Sequence, residues 1–252
     1  IMEDNKILHY IKNLLEDVPT DWLRLTTHRL DIYNEKQAKT QFLEQFEELY
    51  KTGNFAQSAL SELPTAFDYI RLGHPLSCIL EWTIAKANQL EADSVIGFSS
   101  DSAPVLAILR TNLIQDKHTE IFYTGDLPEY LNSEVLKKVY GFKFSITKAN
   151  HASEVKKSEN STVFISQHNN IYKASLSDNI DFYINVHEQL GSLVLIASDQ
   201  NANYISEIQH FRRRETVAMT PADSLAALKA LNDEPILDPT GEKRDENPWA
   251  RL

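Results

Sequence analysis

The residues best placed to do chemistry in this chain are Ser99, Ser100, Asp101 and Ser102. They stand between a short apolar run, Ser94-Val-Ile-Gly-Phe98, and a helical pattern that resumes at Pro104-Val-Leu-Ala-Ile-Leu109. A strand that runs through a serine-rich turn into a helix gathers amides and hydroxyls at the positive end of the helix dipole, where a phosphate can be held. The same residues also describe an ordinary helix start, with a hydroxyl or carboxylate as the cap and Pro104 in the first turn, where no amide donor is lost. Both readings stand at this point.

Other reactive types are scattered. His168 and His187 each follow an apolar strand pattern, and either could act as an acid or base, although a histidine at a strand end is more often structural. The single cysteine, Cys78, lies on an apolar helical face and reads as a small core residue; alone it excludes an internal disulfide and offers no zinc cluster. Arg212-Arg213-Arg214 is the one basic cluster. It could grip a phosphate or carboxylate, or pair with the acidic excess of the same protein.

The elements that must position these groups follow from periodicity. Residues 3–16 and 35–50 carry apolar side chains at helical spacing, a short third helix falls around Phe55–Leu60, and Leu76, Ile79, Leu80, Ile84 and Ala87 mark an amphipathic helix behind Gly73-His74-Pro75. After the serine turn, strand Glu120–Thr124, helix Glu134–Tyr140 and strand Phe142–Thr147 continue a strand-helix alternation that parallel sheets require. Ligands in such sheets sit at the carboxyl ends of strands, which predicts that Ser99–Ser102 and Thr124–Asp126 lie close together. Strands at Thr162–Ser166, Asp181–Val186 and Ser192–Ala197, without long helices between them, should finish the sheet in partly antiparallel fashion. Thr220-Pro221-Ala222-Asp223 starts a helix over Leu225–Leu231.

The stretch Tyr69-x-Arg71-x-Gly73-His74-Pro75, then Leu80-Glu81, Ala85 and Phe98-Ser99-Ser100, resembles the Tyr-x-Arg-x-Gly-Asn-Pro, Leu-Glu, Ala and Phe-Ser-Ser-Gly pattern of the Cys/Met-metabolism family of pyridoxal-phosphate enzymes. The resemblance covers residues 66 to 147. It implies a homodimer in which Tyr69 and Arg71 reach the cofactor phosphate of the neighbouring subunit, while Ser99 and Ser100, with Ser102 beside them, hold a phosphate directly. Three departures stand against it. His74 replaces Asn, Asp101 replaces the Gly of the turn and sets a carboxylate where a phosphate belongs, and the Ser-x-Thr-Lys motif of the family occurs only as Ser145-Ile-Thr-Lys148, 48 residues after Ser100 (148 − 100). Lys148 is thus the candidate catalytic lysine, in a position too early for the family's topology. Asp199 follows a strong strand, as the family's pyridine-binding aspartate does, with flanks that do not match.

With 252 residues, 42% of them hydrophobic and 24% charged, the chain has the composition of a folded globular protein of one large or two small domains. Its net charge of −11 disfavours nucleic acid and anionic membrane surfaces. No apolar run approaches a membrane span and no signal-peptide core is present, so a cytoplasmic location is expected. Ile1 ahead of Met2 reads as an addition to the natural start.

The expectation is therefore an α/β domain with a mixed, mainly parallel sheet flanked by helices over residues 65–231, as in the large domain of fold-type I pyridoxal-phosphate enzymes. A helical extension (1–64) precedes it, and a polar, proline-punctuated tail or linker (232–252) follows. A degenerate or truncated pyridoxal-phosphate-enzyme-like domain, non-catalytic alone, fits these features: a dimerising or regulatory part of a larger enzyme with an anion pocket for a phosphate-bearing small molecule. No cofactor is expected, pyridoxal phosphate being the alternative on that score. The other class to weigh is a sugar-phosphate or nucleotide-processing enzyme that uses Ser99–Ser102 to bind phosphate, and no metal site is expected for either.

Overall fold

A computed structural model describes residues 2–24, 35–65, 73–167, 172–187, 190–197 and 201–232. Eight helices are present among them: α1 (Met2–Glu16), α2 (Glu35–Thr52), α3 (Gln57–Ser61), α4 (Pro75–Ala87), α5 (Ala103–Ile114), α6 (Ser133–Lys138), α7 (Ala202–Glu215) and α8 (Pro221–Ala230). The strands are β1 (Val95–Phe98), β2 (Thr119–Tyr123), β3 (Phe144–Lys148), β4 (Ser161–Ser166), β5 (Phe182–His187) and β6 (Gly191–Ile196). They form one six-stranded sheet in the order β1-β6-β5-β4-β2-β3. β3, β2, β4 and β5 pair in parallel, and β6 runs antiparallel to both β5 and β1.

Helices cover both faces, as strands without a polar side demand. Successive residues of β6 divide between two apolar clusters: Leu193 and Leu195 join side chains of α1, α2, α4 and α8, whereas Val194 and Ile196 join α5, α6 and α7. Tyr10, Phe46, Tyr50 and Trp82 meet edge-on in the first cluster, with ring centroids 5.1–6.0 Å apart, so α1 and α2 pack into the same core as α4. Cys78 is buried there, and burial pushes its thiol up to about 12, as befits a packing residue.

The three later strands complete the sheet in partly antiparallel fashion, as expected, and β6, β5 and β4 insert between β1 and β2, which leaves β1 at one edge and β3 at the other. One expectation changes. Thr124–Asp126 therefore does not lie beside Ser99–Ser102. Their strands end on the same side of the sheet but three strands intervene, a separation of about 19 Å at roughly 4.8 Å per strand. The arginine cluster also turns out to be helical, occupying the last turn of α7, where cations complement the helix dipole.

Arg212 reaches inward from that turn. Its guanidinium donates to Glu81 Oε1 (2.7 Å) and to the Gly97 carbonyl (3.2 Å), while Gly97 N–H donates to the same Glu81 oxygen (2.9 Å). Lys39 of α2 donates to Glu81 Oε2 at 2.9 Å. The side chains of Arg212 and Glu81 are only 5% and 3% exposed, so these charges interact with little solvent screening. Burial opposes the charged carboxyl of Glu81, yet the cations of Lys39 and Arg212 and the Gly97 amide outweigh it and hold the group below the usual carboxylate range. Replacing Glu81 by Leu leaves Arg212 without its anion, and urea denaturation should read a loss of about 3–5 kcal/mol. Glu81→Leu combined with Arg212→Met should recover part of that loss, because Arg212 is then no longer a buried charge without its anion, while Lys39 keeps Asp93 at 3.4 Å.

Candidate functional site

The serine turn sits where its pattern predicts, after β1 and before α5 at the carboxyl edge of the sheet. Several of its polar groups are engaged with the protein itself. Ser99 N–H donates to the Val217 carbonyl (2.9 Å), Ser100 Oγ accepts from Ala103 N–H (3.2 Å), and Ser192 Oγ donates to the Ser100 carbonyl (2.6 Å). The helix is thus capped by Ser100. Ser102 occupies the formal cap position with helical dihedrals, makes no capping bond, and lies with its hydroxyl 3.4 Å from that of Ser100.

Gly191, the first residue of β6, lets the turn pack this closely. Its φ of +99° is a conformation that side chains rarely adopt, and a β-carbon there would collide with the Phe98 carbonyl oxygen and come within 3.0 Å of the Ser99 backbone. Tyr130 belongs to a 3-10 turn, Glu129–Leu131, in the segment after β2. Burial and the negative charge of Asp101 raise the pKa of its phenol well above the ordinary range. Asp101, next to Ser100 and Ser102 in the chain, adds negative charge to a turn where a phosphate would need positive potential.

The remaining candidates are not brought to this turn. Lys148 is the last residue of β3, exposed, with β6, β5, β4 and β2 between it and β1. Five interstrand steps put it about 24 Å from the serines. His187 closes β5 opposite Gly191 and is buried. Tyr69, Arg71, His168 and Asp199 lie outside the described residues. Among the described residues no cluster of histidine, cysteine and carboxylate side chains could hold a metal ion, and no helix is long and apolar enough to cross a membrane.

His74 caps α4. Its Nδ1 accepts from Ser77 N–H (3.2 Å), and the Ser77 hydroxyl accepts in turn from His74 N–H (3.1 Å), a reciprocal cap on α4. Nε2 lies 3.0 Å from the Met219 carbonyl, which can only accept, so the proton resides on Nε2 and the ring is neutral. Met219 immediately precedes Thr220, the cap of α8, so one imidazole ties together the starts of two packed helices. Sequence reasoning missed this role together with those of Glu81, Tyr130, Gly191 and Ser192. The Leu80-Glu81 dipeptide was visible as part of the resemblance, while the other three carry no local signal.

No protein-family model matches the chain, and no curated protein does. Among solved structures it is similar to MetB from Corynebacterium glutamicum (15% identity, TM-score 0.48, covering 89% of this chain) and to a cystathionine gamma-lyase from Lactobacillus plantarum complexed with L-serine (12%, 0.49, 88%). A cystathionine gamma synthase from Xanthomonas oryzae pv. oryzae in complex with cystathionine is similar to the same degree (11% identity, TM-score 0.49, 89% of this chain). The chain spans 64% of the length of each.

Two measurements probe the geometry. Burial lowers the pKa of His74 from its ordinary 6.5 to about 4, so the unfolded chain binds a proton that the folded one refuses. The stability that this neutral ring contributes is fully present above pH 6.5 and is lost as pH falls toward about 4, up to roughly 3 kcal/mol. Urea midpoints across that window should show the loss in the parent and a shallower slope in His74→Asn. Gly191→Ala should destabilise by on the order of 3 kcal/mol through strain and collision with backbone, read as a drop in melting temperature.

Proposed function

We propose that this chain is a degenerate or truncated relative of the Cys/Met-metabolism pyridoxal-phosphate enzymes that does not catalyse by itself and serves as a dimerising or regulatory domain. The observation that carries this reading is the distance between Lys148 and the serine turn. A cofactor held through both a lysine and a phosphate site needs the two within one small molecule's length, and four strands separate them here. The described residues do not fit covalently held pyridoxal phosphate for a second reason: the Ser99 and Ala103 amides already have protein partners, and Asp101 adds like charge. Both points also weigh against the sugar-phosphate or nucleotide-processing reading, which depends on the same turn. By the family resemblance the assembly is a homodimer with Tyr69 and Arg71 near its interface. The lone buried Cys78 suits a reducing, cytoplasmic setting.

Adding pyridoxal phosphate to the purified protein should produce no visible absorbance band of a lysine-bound cofactor, and Lys148→Ala should leave the spectrum unchanged. A band present in the parent and absent from Lys148→Ala would overturn the reading and make Lys148 catalytic.

A further inference from the structure

The two edges of the sheet are finished differently. At β1 the outward N–H and C=O of Gly97 are met by Glu81 and Arg212, and the outward Ser99 N–H by Val217, so that edge offers another strand nothing to bond. The β3 edge is open. The Lys143 carbonyl accepts from Thr119 N–H and Ala149 N–H donates to the Tyr123 carbonyl, each at 2.9 Å, so the odd-numbered residues are those bonded inward to β2. The main-chain groups of Phe144, Ile146 and Lys148 point outward, and among the described residues no hydrogen bond reaches them. No proline or bulge interrupts the strand.

The charge around this edge is opposite to that of the rest of the protein. Residues 133–148, which make up α6, β3 and the turn between them, hold four lysines and one glutamate in a chain of net charge −11. Lys138 is paired with Glu134 (2.5 Å) and Lys143 with Asp116. Lys137 and Lys148 are exposed and have no acidic partner among the described residues. They also share one face of the strand. Lys137 Nζ lies 5.0 Å over the Phe144 ring, which is buried beneath it. Lys148 follows Phe144 on the same side, four residues or about 13 Å further along. Ile146, half-buried, stands between them.

We propose that β3 receives an extended acidic segment of a partner protein as an added strand. The backbone of that segment bonds to Phe144, Ile146 and Lys148, and main-chain pairing of this kind needs only an open, regular edge. Side chains give the selectivity. On the α6 face the segment carries an acidic, a β-branched and a second acidic residue at alternate positions, which meet Lys137, Ile146 and Lys148 in turn. The other face asks only for small polar residues, because Ser145 and Thr147 are exposed there. This edge is five interstrand steps from β1, beside which His74 at the start of α4 bonds Met219, so the homodimer proposed above leaves it free. The docking strand goes beyond that assembly and does not depend on it.

The probe is the heptapeptide Thr-Glu-Thr-Val-Thr-Glu-Thr, fluorescein-labelled at its N-terminus and amidated at its C-terminus, whose palindromic order suits either strand direction. A counterpart with both glutamates changed to lysine is the control, and each is titrated by fluorescence anisotropy against the full chain. The acidic peptide should bind at submillimolar concentration and roughly tenfold more tightly than the basic one. Its affinity should fall severalfold as salt is raised from about 0.05 M to about 0.5 M, and again severalfold in Lys148→Glu at unchanged melting temperature. Ile146→Pro removes an outward N–H while Ser145 and Thr147 keep their inward bonds, and it should abolish binding. In the parent, bound peptide should slow hydrogen exchange at the Phe144, Ile146 and Lys148 amides, a reading that holds whether or not the proline variant folds. Absence of binding up to about 1 mM, equal affinity for the two peptides, or binding that leaves those amides unprotected overturns the proposal. None of these outcomes bears on the homodimer, which light scattering reads separately.

Discussion

The carboxylate of Glu81 is the group on which the closure of the sheet turns. An edge strand ordinarily exposes a row of unpaired amides and carbonyls, and β1 is an edge strand buried along its whole length. Glu81 accepts the Gly97 amide and Arg212 donates to the Gly97 carbonyl, so together the two side chains imitate the hydrogen-bonding edge of a neighbouring strand. Arg212 without Glu81 would be an uncompensated buried charge, whereas Glu81 would keep Lys39 as its partner. Gly97 is part of the same arrangement. A β-carbon there would meet Met219 Sδ, Glu81 Oε1 and Leu193 at 3.5–3.6 Å, ordinary contact distances, so the clip packs directly against the strand.

The consequences spread through the elements that supply the partners. Glu81 comes from α4, Arg212 from α7 and Lys39 from α2, so one ionic cluster joins the N-terminal helices to both faces of the sheet. The chain after α7 then runs along the outer side of β1, where Val217 accepts the Ser99 amide and Met219 accepts the His74 imidazole. In that setting the serine turn also works as a fastening: the Ser99 amide, the Ser100 hydroxyl and the Ser100 carbonyl hold the Val217 segment, α5 and β6 in register.

Placing β6, β5 and β4 between β1 and β2 also decides what can act together. Side chains at the ends of neighbouring strands can converge on one ligand, whereas those at the two edges of a six-stranded sheet cannot. Lys148 and Ser100 are at opposite edges of the sheet.

Local structure was legible in the residues themselves. The apolar spacing in α1, α2 and α4, the capping box at Thr220, the proline in the first turns of α4, α5 and α8, and the apolar runs of β4, β5 and β6 all state short-range preferences that the folded chain keeps. Helix α7 escaped because its buried stripe runs Tyr204, Ile208, Phe211 and then Arg212, and a charged residue on an apolar face breaks the pattern. That arginine makes sense only beside Glu81, 131 positions earlier in the chain. Strand order was beyond the sequence for the same reason: an apolar segment announces that it will be buried but not which neighbour will bury it. The sequence by itself determined which segments other than α7 are helices and strands and that both faces of the sheet must be covered. Only the tertiary structure decided that β1 and β3 are the edges, that a buried ion pair closes one of them, and that the serines face their own protein, because contacts between residues far apart in the chain leave no periodic trace along it.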